Sequence, residues 1–305
     1  MEHEKRYGAI DIGSNSLRFL VASVQAGRLL PLWRHLETTR LGQKVDQDGR
    51  LSPEAIERTI EALRRGLEVM KEQALATPYI AAFATSAVRE ATNGQLFCDR
   101  VQRELGLSVK VLSGEMEGRL SYEGALVMMD SKSLDGKVPV VIDIGGGSTE
   151  VVWYDQSWWR KSLPLGALRV TERKWSAREI VQAWQPLTTI LQEQLRGKAP
   201  LLVGVGGTVT TLGAMVLKMS VYDPDRVHGT RLSLEQTKSY AKELALLSTE
   251  ERKKIAGLQP ERADIIPAGV EVLAQFMEHA GFSSVVVSET DLLHQALWEI
   301  AKGRW

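Results

Sequence analysis

One short pattern occurs twice in this chain and narrows its possible folds more than anything else in the sequence. Ala9-Ile10-Asp11-Ile12-Gly13-Ser14-Asn15-Ser16 returns 132 positions later as Val141-Ile142-Asp143-Ile144-Gly145-Gly146-Gly147-Ser148. Each copy reads as an apolar strand, one Asp near its end, a turn of small residues, a Ser, and a second β-rich run. Two halves built alike, each carrying one acid and one small-residue turn, imply two lobes that face a shared cleft.

Around the two copies, apolar runs of strand length alternate with amphipathic stretches, the pattern of an α/β protein. Strands are expected over 7–12, 18–24, 79–84, 108–112, 140–144, 151–154, 201–205 and 284–288. Ser52-Pro53-Glu54 opens a helix, with Ser as N-cap and Pro at the first helical position. Ile56, Ile60, Leu63, Leu67 and Met70 give that helix one apolar face. Further helices are expected over 96–105 (stopped by Gly106), 115–128, 177–195, 209–218, 233–247, 249–257, 261–279 and 291–301. The polar stretch Asp130–Pro139 reads as a connection between domains, so the expected division is 1–128 and 129–289.

A length of 305 residues suits about two domains. Thirty-eight basic residues balance 38 acidic ones, which argues against a non-specific nucleic-acid or membrane binder. The single cysteine, Cys98, excludes a disulfide scaffold or a Cys-rich zinc site and fits a reducing compartment. The charged opening Met1–Arg6 is no signal peptide, and no apolar run reaches bilayer length, so the expected location is cytoplasmic.

Two carboxylates, Asp11 and Asp143, at the ends of matched strands are what a Mg²⁺ site for a phosphate substrate needs. The alternative, in which each Asp only accepts hydrogen bonds from its own turn, weakens once the arrangement is duplicated. Three turns can bring backbone N–H groups to phosphate oxygens: Gly13-Ser14-Asn15-Ser16, Gly145-Gly146-Gly147-Ser148 and Gly204-Val205-Gly206-Gly207-Thr208. The third precedes a helix, whose N-terminus adds positive partial charge. None of them matches a Walker A or dinucleotide fingerprint. Arg18 and Arg89, just after loops, are candidates to neutralise phosphate, although a lone arginine is usually only solvated. Glu115 and Glu117 open a helix, where acids commonly serve as caps.

Ile10-Asp11-Ile12-Gly13-Ser14-Asn15-Ser16-Leu17-Arg18 resembles the first phosphate motif of the exopolyphosphatase / guanosine pentaphosphate phosphohydrolase family. Ala84–Arg89, Leu112–Arg119, Asp143–Glu150, Leu163–Gly166, Gly204–Thr208, Val227–Gly229 and Glu261–Asp264 are similar to its later motifs, in order. The resemblance implies the actin-like ATPase fold: two ribonuclease-H-like lobes around a central cleft, with a last helix, about 290–305, packing back on the first lobe. It implies metal-dependent hydrolysis (Mg²⁺ or Mn²⁺) of the terminal phosphoanhydride of polyphosphate, the conversion of pppGpp to ppGpp, or both. A homodimer is also implied.

By position, Glu117 resembles the residue that orients or deprotonates the attacking water, and Arg89 an arginine near the reacting phosphate. Asp11, Asp143 and Glu150 match metal-associated acids, while Arg18 and Arg262 match positions linked to guanosine phosphate binding. Gly13, Ser14, Asn15, Ser16, Gly145, Gly146, Gly147, Ser148, Gly206, Gly207 and Thr208 form the expected phosphate cradle. Before the last helix the chain departs from the family: Ser288-Glu289-Thr290-Asp291-Leu292-Leu293-His294-Gln295-Ala296-Leu297 lacks a glycine and an arginine and adds acids. Longer relatives carry an additional basic helical domain, and the length here implies distributive action on polyphosphate. The competing expectation is a non-hydrolytic alarmone- or nucleotide-binding regulator on the same fold.

Overall fold

The computed structural model describes residues 5–25, 28–72, 79–127, 129 and 131–305. In chain order the first elements are β1 (Arg6–Ile12), β2 (Leu17–Gln25), β3 (Arg28–Glu37), α1 (Val45–Asp48), α2 (Pro53–Glu72), β4 (Ile80–Ala84), α3 (Ser86–Glu90), α4 (Gly94–Leu105), β5 (Val109–Val111) and α5 (Gly114–Leu126). Next come α6 (Ser131–Leu134), β6 (Val138–Ile144), β7 (Thr149–Asp155), β8 (Ser157–Leu163), α7 (Ala167–Arg173), α8 (Ala177–Gln194), β9 (Pro200–Val205) and α9 (Gly206–Val216). The chain closes with α10 (Pro224–Val227), β10 (Arg231–Ser233), α11 (Leu234–Leu246), α12 (Thr249–Arg252), α13 (Ile266–Ala280), β11 (Ser284–Val287) and α14 (Leu292–Ala301).

These elements separate into two compact units, Met1–Leu120 with Leu292–Trp305, and Ser121–Asp291. Each holds one mixed sheet. In the first the strand order is β3-β2-β1-β4-β5, in the second β10-β11-β9-β6-β7-β8. The shared plan is three antiparallel strands followed by parallel pairing onto the first of them: β1 with β4, and β6 with β9. The duplication in the sequence is therefore a duplication of topology.

Both sheets are covered on both faces, which is why their inner strands read as near-continuous apolar runs. In the first unit, Ile10, Ile12, Phe19 and Val21 pack with Leu63, Leu67 and Phe97 from α2 and α4. On the opposite face, Ala9, Leu20 and Phe83 pack with Leu293, Ala296 and Leu297 of α14. In the second unit, Ile142, Val151 and Trp153 meet Trp184, Val270 and Phe276, while Val141, Val152 and Val203 meet Tyr122 and Ala125 of α5. Each strand Asp thus interrupts an apolar face at the carboxyl end of its strand, the edge where α/β sheets place ligands.

Several boundaries differ from the sequence reading. β3 and β8 are not apparent from periodicity, and each is an edge strand whose polar residues face water. The polar connection near 130–139 carries α6 and the start of β6, with Pro139 paired inside the strand. Helix 249–257 shrinks to α12, whose capping box at Ser248 and Glu251 starts a helix that lacks buried side chains to extend it. Met128 and Asp130, at the expected end of α5 and the start of the connection, lie outside the described residues.

Candidate active site

The first unit places its residues around the β1–β2 turn. Strand register sets Asp11 opposite Arg18, and the Arg18 guanidinium donates through Nε (2.9 Å) and Nη2 (2.5 Å) to Asp11 Oδ2. The Gly13 N–H donates to Ser16 O at 3.1 Å and closes the turn. A Cβ on Gly13 would lie 2.9 Å from that oxygen, hence the glycine. The Ser14 and Ser86 hydroxyls share a buried hydrogen bond of 2.9 Å. The Asn15 carboxamide is only 5 % exposed, and neither Oδ1 nor Nδ2 has a partner among the described residues. A buried amide left this way costs about 1–3 kcal/mol, which a bound oxyanion or water would offset.

Helix α3 carries Arg89, whose Nη1 donates to Leu112 O (2.9 Å) and to Glu117 Oε2 (2.7 Å). Glu117 sits in the first turn of α5 and is 8 % exposed, whereas Glu115 is exposed to solvent. The structure thereby separates two glutamates that spacing alone leaves equivalent. Glu117 is held inward on a cation by a charge-assisted bond.

In the second unit the same register sets Asp143 opposite Glu150. Where the first unit answers its Asp with an arginine, the second answers with another carboxylate. The Ser121 hydroxyl donates to Asp143 Oδ2 (2.9 Å) and the Ser162 hydroxyl to Glu150 Oε1 (2.7 Å). Glu150 is 3 % exposed. Neither serine stands out in the sequence, because each acts across the fold and not within a motif.

The second turn closes as the first does, with the Gly145 N–H on Ser148 O at 3.0 Å. Helix α7 then fastens it from outside, through the Ala167 N–H to Gly145 O (2.9 Å) and the Arg169 N–H to Gly146 O (3.1 Å). Gly166 lies so close that a Cβ there would sit 2.2 Å from Gly146 O. Backbone cannot yield as a flexible side chain can, so Gly166→Ala must displace the turn. We expect phosphate release to fall by about 10²-fold, the usual cost of shifting a reacting group by an ångström. Circular dichroism should show a folded protein with a slightly lower melting point.

The third turn is the start of a helix and not a loop. Gly206 and Gly207 are the first residues of α9, and Val205 at the N-cap makes no side-chain capping bond. Gly206 has φ +80° and leaves space for Asp143, since a Cβ there would lie 2.5 Å from Oδ1. Gly207 is covered by the Arg262 guanidinium, whose Nη1 would be 2.0 Å from a Cβ, while Arg262 Nε donates to Gln259 Oε1 (2.9 Å). Buried Thr208 follows, its hydroxyl 3.4 Å from Ile144 O. Near Arg262 the Tyr222 hydroxyl donates to Glu289, the acid of the departed segment, whose N–H reaches His228 Nδ1 (3.2 Å). Burial, and after it the negative Glu289, hold the Tyr222 phenol far above its ordinary range, so it remains a donor.

The described residues gather no cluster of three acidic, His or Cys side chains for a metal. Of the three expected metal acids, Asp143 and Glu150 come together in the second unit, and Asp11 belongs to the first and faces Arg18. Like charges directly opposite on neighbouring strands repel. A hard divalent cation held by Asp143 and Glu150 would remove that repulsion, as paired carboxylates do when they hold Mg²⁺. The donor set fits such an ion.

The sequence model of the Ppx/GppA phosphatase family matches residues 20–302. Exopolyphosphatase 2 of Mycobacterium tuberculosis is 34 % identical over 312 residues, covering 94 % of this chain and 96 % of that protein. A bifunctional 3-dehydroquinate synthase/phosphatase of Fusobacterium nucleatum is 31 % identical over 309 residues, 95 % of this chain. The chain spans only 46 % of that longer relative. Among solved structures, the Aquifex aeolicus member of the Ppx/GppA family superposes with a TM-score of 0.76 at 33 % identity, covering 99 % of this chain and 100 % of that one. The two mixed sheets are thus the α/β actin-like ATPase fold that the resemblance implies. Matched by the family model over nearly its whole length and by a relative of which it covers 96 %, the chain belongs to the Ppx/GppA phosphatase family.

Proposed function

We propose that this hydrolase releases terminal orthophosphate from inorganic polyphosphate with a divalent cation, Mg²⁺ or Mn²⁺. The observation that carries the reading is Glu117, a buried carboxylate on Arg89, whose helix α3 is bonded to the β1–β2 turn through Ser86 and Ser14, with its neighbour Glu115 turned to solvent. The likeness to an exopolyphosphatase over 96 % of that protein's length supports the substrate class.

In this reading Glu117 holds the attacking water and takes its proton at a carboxylate oxygen. Arg89 keeps that carboxylate in place and offers its remaining N–H groups to the phosphoryl oxygens. In the first unit the N–H groups of the turn at Gly13–Ser16 and the Asn15 amide, and in the second those of the turn at Gly145–Ser148 and the uncapped start of α9, are the donors offered to phosphate oxygens. Asp143 and Glu150 would hold the cation, which when bound neutralises charge on the phosphate chain. Ser121 and Ser162 fix the orientation of those two acids. Asp11 serves through Arg18, keeping the guanidinium at the turn instead of ligating directly.

pppGpp enters as a second substrate because Arg262 lies on Gly207 at the start of α9, where it can meet a further phosphate. The homodimer follows the family resemblance, and light scattering tests it. A non-hydrolytic regulator finds no support, since the matching family is one of phosphatases and a relative over nearly the whole chain is an exopolyphosphatase. The decisive assay is phosphate release from polyphosphate of graded length and from pppGpp, side by side, with Mg²⁺, with Mn²⁺ and with EDTA. Release from polyphosphate that EDTA abolishes is expected. No release from either substrate with metal present overturns the reading.

A further inference from the structure

The β1–β2 turn is gripped from its far side by a segment that no motif marks. Between β3 and α1, the Arg40 N–H donates to Asn15 O and the Gly42 N–H to Ser14 O, each at 2.8 Å. Arg40 adopts φ +51°, the left-handed region that favours glycine, although it carries a full side chain. That conformation aims two alternate N–H groups of one short segment at two successive carbonyls of the turn. Gly42 fits with no room to spare: a Cβ would lie 2.8 Å from Ser14 Cβ and 3.2 Å from Ala87 Cβ.

What keeps this segment in its strained position comes from α2. Arg58 donates from Nε (3.1 Å) and Nη2 (3.0 Å) to the single carbonyl of Thr39, the residue before Arg40. A guanidinium fork on one oxygen fixes direction as well as distance. The chain of bonds therefore runs from Arg58 to Thr39, from Arg40 and Gly42 to Asn15 and Ser14, and through the Ser14–Ser86 hydroxyl pair to the helix that bears Arg89.

We propose that Arg58 is a positioning residue for the reaction: through the Thr39–Gly42 clamp it sets where the first turn presents its donors, without touching substrate. The proposal rests on the reading of that turn as a phosphate cradle. Substrate held elsewhere along its length still binds when the turn loosens, while the stabilisation of the transferring group, which needs donors already in place, is lost.

Arg58→Met keeps the apolar stem and removes the fork. Its kcat on polyphosphate should fall about 10-fold with KM changed less than about twofold, the signature of lost orientation. Hydrogen exchange at the Arg40 and Gly42 amides should quicken, with β1 and β2 amides unchanged. Arg58→Lys, which can still donate to Thr39 O, should recover most of the rate. A fall in rate that only tracks the folded fraction, with KM, kcat per folded molecule and the two amides unaltered, overturns the proposal. Asn15→Asp, which places an anion in the cradle, separates the two readings. If it abolishes activity and Arg58→Met changes neither rate nor exchange, the clamp is refuted and the cradle stands. If Asn15→Asp is fully active, the cradle falls and the clamp with it.

Discussion

Glu117→Gln should lower turnover by about 10²–10⁴-fold while leaving substrate binding nearly intact, the range expected when a positioned base is removed. The substitution keeps the oxygen that accepts from Arg89 Nη1, so the 2.7 Å contact and the first turn of α5 have no reason to move. What disappears is the negative charge and the capacity to take a proton from water. Glu115→Gln, two residues away but solvent-exposed, should change the rate by less than a factor of about two, as substitutions of exposed side chains usually have small effects. Steady-state phosphate release and substrate-binding titrations on both variants check this. Equal losses at the two positions would remove the distinction that burial and the arginine draw between them.

Asp143→Asn should act mainly through the cation. The substitution leaves the Ser121 contact available, because an amide oxygen can accept as Oδ2 does at 2.9 Å. It also relieves the repulsion between Asp143 and Glu150 across the β6–β7 ladder. The apoprotein should accordingly be as stable as the wild type or slightly more so, while the apparent Mg²⁺ requirement rises by about tenfold or more. Raising Mg²⁺ should recover part of the rate. Melting curves with and without Mg²⁺ give a second readout: a metal-induced rise is expected in the wild type and should shrink in the variant. Activity that survives EDTA in the wild type would show that these two carboxylates hold no essential ion.

The two outcomes bear on different units of the chain, Glu117 on the first and Asp143 on the second. Each unit contributes one Asp–turn copy, and the two copies differ at the residue opposite the Asp. Arg18 pairs with Asp11 where Glu150 stands opposite Asp143, so in the proposed reading the first copy would hold an anion-binding group and the second a cation-binding pair.

The repeat, the two sheets and the glycine turns were legible in the sequence, because apolar periodicity and small-residue turns report local burial and local backbone freedom. The α2 start at Ser52-Pro53 was equally local, and the Ala55 N–H does bond to Ser52 Oγ at 3.2 Å. Edge strand β8 escaped notice since a strand paired on one side and wetted on its other edge needs no long apolar run, and β3 because Pro31 interrupts its apolar residues, as an edge strand tolerates. Register was also beyond reach: nothing in the order of residues says that Asp143 faces Glu150, a match set by the turn and by the packing of both strand faces. The resemblance already pointed to Glu117, and the tertiary structure adds what spacing alone leaves open: Arg89 reaches it across 28 positions of chain while Glu115 is exposed. The tertiary structure alone joined Arg58 to Thr39 and so to the first turn. Sequence determines which short segments must be buried or bent; the partner that each buried polar group meets is decided when distant segments pack.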